Sequence, residues 1–370
     1  MGGHVVRVFL CGDVMTGRGV DQILPHPGDP RLREPHVSDA RAYVRLAESV
    51  AGPIPQPAGF GWPWGEALAV LDHFSPHVRV INLETSITRS SDFAPGKTVH
   101  YRMNPANIAC LAAVRPDACA LANNHTLDFG RQGLTETLTT LSGAALCPVG
   151  AGQDPDSAQA PAVIGVPGGS RVLVFSCGTP SSGIPSGWAV TASQPGVDVL
   201  PDESESTADR LIGRIQHAKR PCDIAVISLH WGSNWGYDVP AGQVRFAHRL
   251  IDGGADLIHG HSSHHPRPIE VYRGKLILYG CGDCIDDYEG IAGHEEYRDD
   301  LRLLYFAAVD PATGTLAGLR MVPMKASRMR LEHATVTDAQ WLATVLQRIS
   351  RRFGTRVESE PGGMLTLRPQ

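Results

Sequence analysis

Six residues spread along this 370-residue chain are of types that bind divalent metal ions: Asp13, Glu84, Asn124, His230, His261 and His264. Carboxylate, amide and imidazole donors of this kind suit Mn, Fe or Zn, and a bridging carboxylate can hold two such ions close together. Taken singly, each residue has an ordinary explanation. An Asp after a strand is often a helix N-cap. Glu84 in Asn82-Leu83-Glu84-Thr85 reads equally as a buried, hydrogen-bonded carboxylate, and His230 in His230-Trp231-Gly232 as a satisfied core histidine. Their order is less ordinary: an Asp, a later acid, an Asn-His pair, a lone His after a strand, then Gly260-His261-Ser262-Ser263-His264.

The elements that must position these residues are legible as short apolar runs. Residues 5–10, 78–83, 118–121, 172–175, 224–229, 257–258 and 276–279 are rich in β-branched side chains and read as buried strands. Helical patterns lie between them, at 40–50, 64–74, 104–114, 130–141, 206–218 and 242–253. This alternation predicts a layered α/β domain. Each candidate ligand follows a strand, and loops at the carboxyl ends of strands in such sheets gather at one edge. Residues 24–60 and 178–205 read as insertions over that edge, either solvated loops or walls of a site. Residues 1–330 are therefore expected to form the main domain. Residues 331–370 are expected to form a helical extension packed on it, with Trp341, Leu342, Val345, Leu346 and Ile349 at helical spacing.

Bulk properties exclude several classes. With 42% hydrophobic and 19% charged residues the chain is globular rather than disordered. Its net charge is −5, and no Lys/Arg block suggests a nucleic-acid groove. No run of about 18 apolar residues predicts a membrane span, and the start of the chain lacks a signal-peptide pattern. A cytoplasmic location is expected. The eight cysteines are scattered and read as reduced thiols, and the single Cys281-x-x-Cys284 lacks a second pair for zinc.

Several motifs carry a family resemblance: Gly12-Asp13-Val14-Met15, Asn82-Leu83-Glu84-Thr85, Ala122-Asn123-Asn124-His125-Thr126-Leu127-Asp128-Phe129-Gly130, His230-Trp231-Gly232 and Gly260-His261-Ser262-Ser263-His264. Over about residues 5–310 the sequence resembles the capsule poly-γ-glutamate synthesis (CapA) family, which is similar to the calcineurin-like metallophosphoesterases. The resemblance implies a layered, metallophosphoesterase-like β-sandwich flanked by helices. It implies two divalent ions, the first held by Asp13 and His264. Glu84 takes the bridging place, and Asn124, His230 and His261 complete the second site. His125 is implied as general acid, oriented by Asp128. The sequence departs from the phosphoesterase pattern at Met15, where a His is usual, and a thioether is a poor ligand for such ions. His259 and His265 are the candidate substitutes.

Arg18, Lys97, Tyr101 and Arg102 are candidate substrate-binding residues, with solvated or salt-bridged charges as the plain alternative. Asp283, Asp286, Asp287 and Glu289 read as a solvated acidic loop or as a site for an amine or further cation. Three functions remain open from sequence. The first is a metal-dependent hydrolase of a phosphoester or phosphoanhydride acting on a small anionic substrate. The second is an enzyme that makes or cleaves amide bonds in a glutamate-containing peptide. The third is a non-catalytic metal-binding relative.

Overall fold

A computed structural model describes residues 5–368; its two large β-sheets pack face to face, and two two-stranded sheets lie beside them. The ten-stranded sheet is built around Val6–Val14. That strand lies parallel to Val78–Leu83 on one side and antiparallel to Leu301–Asp310 on the other. Ala118–Ala120 continues the sheet beyond Val78–Leu83, and Thr315–Ser327 continues it beyond Leu301–Asp310. The six-stranded sheet has a parallel centre of Arg171–Gly178, Ile224–His230, Leu257–His261 and Lys275–Leu278.

Side-chain alternation explains the layering. Val6, Val8 and Leu10 point between the sheets and meet Val172, Val174, Ile224, Val226 and Leu257. The intervening Phe9 and Cys11 face helices on the outer side of the first sheet. Leu173, Phe175, Ala225 and Ile227 face the helices Glu205–Ala218 and Ala241–Asp252 on the outer side of the second. Both faces of each central strand are thus buried, which is why these strands read as continuous apolar runs. The fold is the expected β-sandwich flanked by helices.

Several boundaries differ from expectation. The first strand runs on to Val14, so Asp13 sits inside it rather than in the following loop. Gly12 makes this extension possible, because a Cβ there would lie 1.7 Å from the Gly282 carbonyl oxygen of the adjoining strand. The pattern at 104–114 forms only a 3-10 turn, Pro105–Asn107, and a short helix, Ala109–Ala112. The tail is not simply helical. Val336–Ser350 is a helix whose Leu342 and Leu346 close one end of the inter-sheet core, but Arg356–Ser359 and Leu365–Arg368 pair as strands and join the large sheet. Val357, Leu365 and Leu367 supply the period-two apolar face for this hairpin. Residues 369–370 of the expected extension lie outside the described residues. All eight cysteines are free thiols, and among the described residues no helix is long and apolar enough to cross a membrane.

Candidate metal centre

The carboxyl ends of the parallel strands from both sheets meet at one edge. Asp13 is in register with Asn82 on one side and with Asp283 on the other. The Asn82 amide donates to Asp13 Oδ1 at 2.7 Å, and the Ser262 backbone N–H donates to Asp13 Oδ2 at 3.2 Å. Asn123 ties the next loop to this one, donating to Asn82 Oδ1 at 3.1 Å and to the Leu83 carbonyl at 2.9 Å. Its own Oδ1 accepts the His125 backbone N–H at 3.1 Å. Asn82 and Asn123 therefore set the loops that carry Glu84, Asn124 and His125. Nothing in the sequence alone marks either residue as a ligand or a catalytic group.

Asp13, His230 and His261 present donor atoms that all lie within 4.8 Å of one another. His230 Nδ1 is 2.8 Å from His261 Nδ1, and His230 Nε2 is 2.9 Å from Asn124 Oδ1. Glu84 Oε1 lies 3.7 Å from His230 Nε2, while Glu84 Oε2 is buried without a hydrogen-bond partner. Burial, reinforced by the charge of Asp13, pushes the Glu84 carboxyl well above the usual carboxylate range. Burial and the Asp283 charge raise Asp13 to about 7. Burial holds His230 and His261 neutral, with both pushed well below the usual imidazole value. Two buried carboxyls beside neutral imidazoles and an amide oxygen form an electron-rich cluster. Such a donor set fits a divalent ion.

His264 stands outside that group of three. Its Nδ1 lies 3.1 Å from both Asp283 oxygens, Asn234 Nδ2 lies 3.1 Å from its Nε2, and the Tyr288 hydroxyl is 3.3 Å from Nδ1. Burial lowers the His264 pKa, but Asp283 outweighs it and lifts the ring to about 9. Neither suggested substitute ligand turns toward Asp13. His259 is held by Ser228 and the Cys11 carbonyl, and His265 by the Pro266 carbonyl and a stack on Tyr297. The residue that does adjoin Asp13 is Asp283. The sequence left Asp283 in either a solvated acidic loop or a site for an amine or cation; Asp283, Asp286 and Asp287 are all buried. Each carboxylate there has a partner: Asp283 has His264 and Tyr288, Asp286 has Arg302, and Asp287 has Arg18.

Beside the cluster, His125 Nδ1 lies 2.6 Å from Asp128 Oδ2, and His125 Nε2 lies 3.8 Å from Glu84 Oε1. The same Asp128 carboxylate receives the Tyr101 backbone N–H at 2.7 Å and Lys97 Nζ at 2.6 Å. Lys97 also donates to the Asn124 carbonyl. Burial lowers the His125 pKa to about 4 even though Asp128 opposes the shift. A cavity of about 600 Å³ opens over these groups, lined by Met15, Glu84, Lys97, Tyr101, Asn124, His125 and His264.

The four substrate-binding candidates separate in the structure. Lys97 and Tyr101 line the cavity. Arg18 lines it too, but its charge is matched: Nε and Nη2 grip Asp287 at 3.0 and 2.5 Å, and Nη1 reaches Glu34 at 2.9 Å. Arg102 turns away and donates to the carbonyls of Ser90 and Asp29. It follows Tyr101 directly in an extended segment, so the two side chains point to opposite sides. Of the insertions, residues 24–60 bring Glu34, Tyr43 and Leu46 to the cavity wall, and residues 178–205 back the site through Ser182, which donates to the His230 carbonyl at 3.0 Å.

A family model described as bacterial capsule synthesis protein PGA_cap matches residues 7–288. The chain belongs to this family. The match takes in every residue of the centre described above and stops at the start of the loop that follows Asp287. A probable polyglutamine synthesis accessory protein of Mycobacterium tuberculosis is 56% identical over 366 residues, spanning 99% of this chain and 96% of that one. The PGA biosynthesis protein CapA of Bacillus subtilis is 32% identical over 284 residues, spanning 76% of this chain and 64% of that one. Among solved structures, a 5′-nucleotidase precursor from Thermus thermophilus superposes with a TM-score of 0.48 at 14% identity, over 93% of this chain and 59% of that one.

Proposed function

We propose that the chain is a metal-dependent hydrolase that cleaves a phosphoester or phosphoanhydride of a small anionic substrate in the cytoplasm. The observation that carries this reading is the buried Asp13–Glu84 carboxyl pair, set against Asn124, His230 and His261 on the floor of a cavity with His125 at its edge. In the reading, Glu84, Asn124, His230 and His261 hold one ion, and Asp13 with His264 and Asp283 holds a second. Bound Mn, Fe or Zn lowers the pKa of a water and neutralises charge that develops on the substrate. Asp128 accepts the Nδ1 proton of His125, which leaves Nε2 to exchange a proton with a reacting oxygen in the cavity. Lys97 clamps the loop by bridging Asp128 and the Asn124 carbonyl. Tyr101 packs edge-on against His125, with ring centroids 4.7 Å apart, and restricts its rotation.

Purified protein loaded with manganese and offered a panel of phosphoesters and phosphoanhydrides tests the proposal. Turnover that a chelator abolishes and that His125→Ala depresses is the expected result. Failure of the panel with every divalent metal overturns it.

The names of the relatives favour a second reading, in which the chain makes or cleaves an amide bond in a glutamate-containing peptide. Mass spectrometry of such peptides, incubated with the metal-loaded protein with and without ATP, separates the two. A mass change in the peptide without phosphoester turnover favours the amide reading.

A further inference from the structure

Behind His261 a line of buried polar atoms crosses from one sheet to the other. His261 Nε2 lies 2.8 Å from Ser228 Oγ, which lies 3.1 Å from His259 Nδ1. His259 Nε2 lies 2.7 Å from the carbonyl oxygen of Cys11, on the central strand of the opposite sheet. Ser228, His259, His261 and Cys11 are all fully buried. The strand register explains the grouping. Ser228 pairs with His259, and His230 pairs with His261, across two parallel strands. Residues two apart on a strand share a face, so the four side chains form one block.

The chemistry of the end point gives this line a direction. A carbonyl oxygen only accepts, so His259 must carry its proton on Nε2 and donate it to Cys11. The buried His259 ring has no carboxylate partner among the described residues, so it stays neutral and its Nδ1 is an acceptor. The single Ser228 hydroxyl proton therefore goes to His259 Nδ1. Ser228 Oγ is then an acceptor toward His261, which must hold its proton on Nε2. His261 Nδ1 is left unprotonated, an acceptor 2.8 Å from His230 Nδ1, whose proton faces it, and 3.9 Å from Asp13 Oδ1.

We infer that Ser228 and His259 are positioning residues that lock His261 in its Nε2–H tautomer and so reserve His261 Nδ1 for a divalent cation. The inference deepens the metal-site reading above and rests on it for the identity of the ligand. Without the Ser228 acceptor, the proton of His261 is free to move to Nδ1 and bond to His230, which closes the donor position. Partners behind metal-binding histidines commonly act in this way, by fixing tautomer and ring orientation. Here the anchoring atom is a main-chain carbonyl on the other sheet, so the tautomer depends on the packing of the sandwich itself.

Long-range proton–nitrogen NMR spectra of the metal-free protein with ¹⁵N-labelled histidine read the tautomers directly. The expected wild-type result is a protonated Nε2 and a bare Nδ1 at both His259 and His261. Ser228→Ala is expected to shift His261 toward the Nδ1–H form and to weaken zinc binding about 10- to 100-fold, measured by competition with a chromophoric chelator. Ser228→Thr, which keeps the hydroxyl and suits a strand, is expected to restore both. A wild-type His261 protonated on Nδ1 overturns the inference, and so does a Ser228→Ala protein with unchanged tautomer and zinc affinity. A wild-type protein that binds no zinc, manganese or iron overturns the metal-site reading instead, while the metal-free spectra still decide the tautomer.

Discussion

Arg18 and Asp287 join the first site loop to the segment after the last parallel strand, and their separation by mutation has a calculable cost. The Arg18 side chain is 5% exposed and that of Asp287 is not exposed at all. Asp287 accepts two guanidinium hydrogen bonds and the Gly19 backbone N–H at 2.8 Å. In Asp287→Asn the charge is lost, and one of the two oxygen acceptors becomes an N–H donor facing the guanidinium. Removing one partner of a buried ion pair costs about 3–5 kcal/mol, because the other charge stays buried. Glu34 remains on Arg18 Nη1, so the lower end applies, about 3 kcal/mol, which is roughly a 150-fold fall in the folded-to-unfolded ratio. Urea unfolding followed by tryptophan fluorescence measures it, in a cycle with Arg18→Met and the double variant. The double variant should be more stable than the two single losses added together, by about 1–3 kcal/mol of coupling. Additivity within about 0.5 kcal/mol would refute the reasoning, since it would show that the two side chains do not depend on each other.

Asp128→Asn should lower turnover about 10²- to 10⁴-fold with little change in KM, because an amide nitrogen cannot accept the His125 Nδ1 proton; steady-state kinetics on a substrate that the phosphoester panel turns up check it. Gly12→Ala should destabilise the chain by more than about 2 kcal/mol, visible as a lower melting temperature, since neither backbone at the 1.7 Å contact can yield without breaking strand pairing. Burial raises the Asp223 pKa, but the Arg171 side chain (Nε at 3.0 Å) and the Arg220 backbone N–H outweigh it and hold the carboxyl below its ordinary value. A depressed carboxyl contributes stability that is present above its unfolded pKa of about 3.9 and is lost as pH falls through the lower folded value. Asp223→Asn should therefore lower the melting temperature at pH 7 and narrow its gap to wild type in strong acid, as calorimetry across pH would show.

What the sequence made legible follows from how local each signal is. The strand at 78–83 was read to the residue, because Val78, Val80, Ile81 and Leu83 form a short β-branched-rich apolar stretch broken only by Arg79 and Asn82. Leu301–Asp310 and Thr315–Ser327 escaped notice. They pair with each other as a hairpin across residues 311–314, and the long-range contact of the first with Val6–Val14 leaves no local signal, while exposed Arg320 interrupts the second. Asp13, His230 and His261 were visible as polar residues closing apolar runs, and the structure brings them together. Arg102 was misjudged because motif proximity does not say which way a side chain points in an extended segment. The acidic cluster was misjudged because its counter-charges, Arg18 and Arg302, lie elsewhere in sequence. Ser228 carried no signal, and His259 was read only as a substitute ligand, since a hydroxyl and an imidazole on buried strands look like any satisfied core polar pair.

The central strand has a further consequence for how the molecule is made. Val6–Val14 emerges from the ribosome before the strands it pairs with, and its antiparallel neighbour Leu301–Asp310 is synthesised about 300 residues later. At ~5–20 residues per second that interval is about 15 to 60 s. Throughout it, one edge of the nascent sheet is unpaired and open to intermolecular strand pairing. Chaperone cover of that edge during the interval is therefore expected to favour correct closure of the sandwich.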